Sequence, residues 1–168
     1  MSDLQKLLSM LLLKAAPQDM PYSVQKTAQM AMAYLFSGII VLQTTLNPES
    51  ILAGLLLGFF VQYGFVYIVL KALDRKPRFM QSFYAILGVG VIFNIMSWPI
   101  FSVMADELSN DDLKSSMSLL FLMLISWEVL VKAHIFRHAL DMKMFGAMAL
   151  SFSLFFISVA LSQLLVPV

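Results

Sequence analysis

Glu128 and Lys132 stand four residues apart inside a long apolar block of this 168-residue chain. On a helix they share one face, in the Glu-before-Lys order that favours contact. A carboxylate deep in hydrocarbon costs about 2.5–3.5 kcal/mol, so it must turn towards a bundle interior or a wet cavity. Lys132 can reach back to it while its stem lies along apolar surface. Gln62 and Asn94, each inside another apolar block, carry amides able to bond across helices. This intramembrane polar set supports a proton- or ion-linked site or a polar groove for a headgroup. It equally supports a structural ion pair that fixes helix register.

His134 and His138 are also spaced i and i+4, with Asp141 at i+7, so all three share a face that could hold a metal. No Glu follows His134 in an H-E-x-x-H pattern, and the chain has only 2 His. With Lys132, Arg137 and Lys143 close by, contact with anionic headgroups or a partner, or simple interfacial anchoring, outweighs metal capture. Arg75, Lys76 and Arg78 form the densest basic run. They can meet headgroups or a partner, or serve only as an orientation signal.

Several chemistries find no residues to carry them. The chain has 0 Cys, no G-x-S-x-G, no glycine-rich phosphate loop and no paired histidines within a span. Glu128 is the one carboxylate in mid-membrane, so no carboxylate pair exists there for catalysis. The expectation is a protein that is not an enzyme, takes no cofactor and binds no nucleic acid.

The elements that must position these residues follow from composition and charge. The chain is 60% hydrophobic and 12% charged, with a mean hydropathy of +0.85, too apolar for a water-facing shell. Apolar blocks at about 28–46, 50–70, 79–104, 115–136 and 144–166 are each long enough to span a bilayer. They leave room only for a single membrane domain over 1–168. Lys6, Lys14 and Lys26, then Lys71, Arg75, Lys76 and Arg78, then Lys132, Arg137 and Lys143 alternate with connections carrying Glu49, Asp106, Glu107, Asp111 and Asp112. Cations are retained on the cytoplasmic side, which orients the chain N-in/C-out. The expected fold is therefore an all-α integral membrane protein of five transmembrane helices.

An interfacial amphipathic helix over 1–16 is expected to precede them. Its stripe of Leu4, Leu7, Leu8, Leu11, Leu12 and Ala15 would lie in the acyl boundary, although Met10 and Leu13 spoil the polar face. No cleaved signal is expected. Ser23, Asn47 (before Pro48 and Glu49) and Ser109 or Asn110 are candidate N-caps. Pro99 should kink the third span. The fourth helix, near 30 residues, should project its inner end into the headgroup zone.

Gly54-x-x-x-Gly58, and Ala147, Ser151, Ser158 and Ser162 in the last span, form small-residue seams. They would serve a dimer contact or packing within one bundle. Gly88 and Gly90 belong to the same class.

The stretches Ala16–Ser23 and His134–Leu140 are similar to strings of the PQDLPYS and HILRHAL type in a small proteobacterial branch. Five spans, a cytoplasmic N-terminus and tight hairpins resemble the Yip1-type membrane protein family. The resemblance implies fold, topology and a bacterial inner membrane setting. Eukaryotic members bind small GTPases through an acidic cytosolic N-terminal region that this chain lacks, so that activity does not carry over. The leading functional expectation is a multi-pass protein that binds a membrane-protein partner or organises a complex, with anionic lipid on its inner face. The rival is transport of lipid, small solute or protons through a groove at Glu128, as a homo-oligomer. A metal or redox accessory role for the histidines is the third.

Overall fold

The computed structural model describes residues 2–43, 48–106 and 108–165. Among these there are six α-helices and no strand: α1 Asp3–Leu11, α2 Val24–Leu42, α3 Pro48–Ala72, α4 Phe79–Ala105, α5 Asp111–Leu140 and α6 Met144–Leu165. Single 3₁₀ turns, Pro17–Asp19 and Lys76–Arg78, precede α2 and α4. Four segments are long and apolar enough to cross a membrane: Ser50–Ala72, Lys76–Ala105, Asp111–Leu140 and Met144–Leu165. The chain is thus an all-helical, multi-pass membrane protein. The first expected span corresponds to α2, 19 residues long. Gln25, Lys26, Thr27 and Gln29 occupy its first turns, and 44–46 lie outside the described residues.

Local chemistry sets the helix starts. Ser2 and Gln5 form a reciprocal capping box at α1. Ser23 accepts the Lys26 N–H at α2. Asn110, rather than Ser109, accepts the Leu113 N–H at 2.7 Å to open α5. The Asn47 cap and the Glu49 and Glu107 side chains lie outside the described residues. Pro99 sits inside α4, which continues to Ala105.

The core is built around α4, where Ser82 to Gly90 is an unbroken buried run. α2 and α5 pack along α4, α6 packs on α5, and α3 closes against α6, α2 and α4. Two α4 glycines are needed for close approach. A Cβ on Gly88 would stand 2.6 Å from Leu7 Cδ2, and one on Gly90 would stand 2.7 Å from the Tyr34 ring.

One expectation changes here. α1 does not present one stripe to lipid: Leu7 and Met10 are buried in the core, whereas Leu4, Leu8 and Leu12 are exposed. Met10, which spoils a polar face in the sequence, belongs to the face seated on α4. α1 is therefore apolar on two sides, one for the bundle and one outward. The C-terminal end of α5 is packed against protein. Val131, Ala133–Phe136, Ala139 and Leu140 are buried. The segment between α1 and α2 covers that end, with His134 Nε2 2.9 Å from the Ala15 carbonyl and Gln18 Nε2 donating to the His138 carbonyl.

Candidate functional site

α5 carries Glu128 and Lys132 into contact, with Lys132 Nζ 2.7 Å from Glu128 Oε1. The pair is not sealed: the two side chains keep 15% and 27% of their exposure, Lys132 the smaller. They share a cavity of about 150 Å³ with Tyr34 of α2, Gly58 and Gln62 of α3, and Ser151 and Ser158 of α6. That is room for several water-sized groups.

Each wall is held by a specific contact. Tyr34 lies in the slot left by Gly90, and its phenol oxygen accepts a 2.8 Å hydrogen bond from Gln62 Nε2. Ser151 donates to the Val129 carbonyl at 2.7 Å, tying α6 to α5. Ser158 donates to its own helix at Leu154. Gln62 is only 5% exposed, yet its Oε1 has no partner among the described residues. A buried amide oxygen left in that state costs about 1–3 kcal/mol unless a donor in the cavity satisfies it.

The cavity does not end there. Gly58, Phe155 and Ser158 also line a second space of about 330 Å³, bounded by Gly54, Ser162 and Gln163. The two adjoin between α3 and α6 at these shared residues. The cleft they outline runs from the ion pair towards the end of the bundle where α3 starts and α6 stops. Gly54, Gly58, Ser158 and Ser162 therefore face one another within a single chain. A Cβ on Gly58 would meet nothing within 4 Å, so this glycine keeps space open instead of bringing two backbones together. Ala147 and Ser151 are the members of the last-span seam that pack.

Three of the four expected polar residues, Glu128, Lys132 and Gln62, meet in the cleft. Asn94 does not: its Nδ2 donates to Ser37 Oγ at 3.0 Å. It borders a neighbouring space that shares only Tyr34, Gly54 and Gly58 with the cleft. Tyr34 is the residue sequence reading missed. Its signal is available, since a tyrosine in the middle of an apolar helix must find a partner for its hydroxyl.

The residues expected at headgroups or a partner divide as well. Arg75 and Arg78 both pair with Asp141, at 3.1 and 2.9 Å. Arg78 also donates to the His138 and Ala139 carbonyls, closing the C-terminus of α5. His134 is buried against the N-terminal segment, its ring 4.5 Å from that of His138. Asp141, at φ 52°, caps α5 in the left-handed conformation that Asp tolerates. It is committed to the two arginines rather than to the histidines. Lys76, Arg137 and Lys143 remain exposed.

The cleft and its ion pair define an all-α multi-pass membrane protein with a polar site between its helices. The chain matches no protein-family model, no curated protein and no solved structure.

Proposed function

We propose that this chain is a five-span protein of the bacterial inner membrane that admits a small, uncharged, hydrogen-bonding solute to the α3–α6 cleft and passes it without chemical change. The observation that carries the reading is Gln62 Oε1, a buried acceptor without a protein partner beside a cavity and an ion pair. Such an oxygen accepts from a donor in the cavity, and a hydrogen-bond-donating solute can take the place of water there. The charges of Glu128 and Lys132 cancel, so a ligand of net charge would leave a charge uncompensated in a low-dielectric site. A neutral solute avoids that cost.

The remaining architecture is read in the same way. α2 lies along α4 and is taken as the fifth span. The basic ends of the helices are taken as cytoplasmic, giving N-in/C-out, in keeping with the Yip1-type resemblance. An organising role through outward small-residue seams has less support, because those residues line the cleft of their own chain.

The test is osmotic swelling of proteoliposomes in glycerol and in urea, comparing wild type with Gln62→Leu and Glu128→Gln. Wild type should swell faster than protein-free vesicles in at least one solute, and both variants should lose most of the difference. Wild-type swelling equal to that of protein-free vesicles in both solutes overturns the reading.

A further inference from the structure

A second site stands at the basic end of the bundle, built from residues that do not line the cleft. Lys71 and Lys76 both lie over the ring of Tyr67, with their Nζ atoms 6.0 and 5.8 Å from its centre. Neither has a carboxylate within 4.0 Å among the described residues, unlike Arg75 and Arg78, which share the carboxylate of Asp141. One phenol ring thus gathers two unneutralised cations that would otherwise repel.

Tyr67 is also the end of an aromatic row. Its ring stacks on Tyr63 and meets Phe79 edge-on, and Phe79 stacks on Phe83. Tyr63, Phe79, Phe83 and Phe60 then form one side of an apolar groove of about 400 Å³, whose other side is Ala28 and Ala31 of α2. The small alanines opposite large rings are what leave the groove open. Thr27, a polar lining residue, has its hydroxyl bonded to the Ser23 carbonyl. From Lys71 to Phe60 the rise along α3 is about 16 Å, roughly half the hydrocarbon thickness.

We infer that this is a binding site for one anionic phospholipid, with its phosphate between Lys71 and Lys76 and one acyl chain in the Ala28–Ala31 groove. The groove lies among helices read as membrane spans and its walls offer little to a soluble anion. The two cations sit where a headgroup would meet a chain running down that groove. Charge and apolar surface are thus matched to one amphiphile.

The test measures lipid retention on the purified full chain by native mass spectrometry, with phosphatidylglycerol and phosphatidylcholine of identical chains. Wild type should retain the anionic lipid roughly tenfold or more in preference. Lys71→Gln with Lys76→Gln should bring the two lipids to near parity. Lys14→Gln with Lys143→Gln removes the same charge from other exposed lysines and should leave the preference intact. Ala28→Leu with Ala31→Leu fills the groove and should weaken retention of both lipids; Ala31→Leu alone serves if the pair does not fold. Equal losses in the two lysine pairs would mean general attraction to a basic surface and would overturn the site. So would unchanged retention when the groove is filled.

Discussion

Tyr34 and Gln62, on α2 and α3, share a hydrogen bond in which the amide donates to the phenol oxygen, and this bond sets which end of the amide is left unpaired. The nitrogen is engaged and the oxygen has no protein partner. Gly90 holds the arrangement by leaving a slot for the ring. A network satisfied on one side only is open to a donor from the cavity, whether water or a solute.

Tyr34→Phe should therefore cost about 1–3 kcal/mol, because the whole Gln62 amide becomes unpaired. Tyr34→Phe with Gln62→Leu should cost less than Tyr34→Phe alone, since both polar partners are then gone. Unfolding in detergent micelles across the four proteins measures the coupling. Strictly additive losses would contradict the hydrogen-bond assignment.

The ion pair can be separated into structural and functional parts. Glu128→Gln leaves Lys132 unpaired and should destabilise by less than the roughly 3–5 kcal/mol of a fully sealed pair, because both groups keep some exposure. Adding Lys132→Met should restore most of that stability. Solute permeation should stay lost in the double variant. Recovery of permeation together with stability would reduce the pair to a packing device.

Acid sensitivity is expected at Asp141. The hydrogen bond from Arg78 is the main cause holding its carboxyl below the ordinary 3.8, with Arg78 and Arg75 charges adding to it. A depressed folded value means that stability from this group is present above about 3.8 and is lost as the pH falls below it, through the lower folded value. Asp141→Asn tolerates the left-handed backbone but cannot ionise. Its melting temperature should fall less steeply than wild type below that pH. Parallel curves would show that Arg75 and Arg78 do not stabilise the carboxylate.

Gly88→Ala should loosen α1. The new Cβ falls on the Leu7 side chain, and overpacking of this kind costs about 1–3 kcal/mol. Hydrogen exchange in residues 3–11 should rise, and Leu7→Ala in the same chain should restore protection. Unchanged exchange in Gly88→Ala would mean that α1 is not seated on α4.

The absence of native cysteine makes topology accessible to single-cysteine labelling. Gln43→Cys and Leu108→Cys should react with an impermeant maleimide in intact cells, and Lys14→Cys and Lys143→Cys only after permeabilisation. Protection of Gln43→Cys in intact cells would show that α2 does not cross.

The membrane class of the fold is written along the chain, in the length of its apolar blocks and the rarity of charge, because hydrocarbon thickness and backbone satisfaction leave a 60% apolar chain few alternatives. Glu128 and Lys132 were readable for the same reason: helical spacing alone brings i and i+4 together. The partners across helices were not. Asn94 and Gln62 look alike in sequence, yet one bonds Ser37 and the other Tyr34, a choice made by which faces of α2, α3 and α4 meet. The role of Gly54-x-x-x-Gly58 was hidden likewise, since a small residue permits both a tight contact and an open cleft. The burial of Met10 and His134 needed the N-terminal segment folded back on α4 and α5. Periodicity reports that a residue is apolar and on a given helical face; which neighbour covers that face depends on packing between segments far apart in the chain.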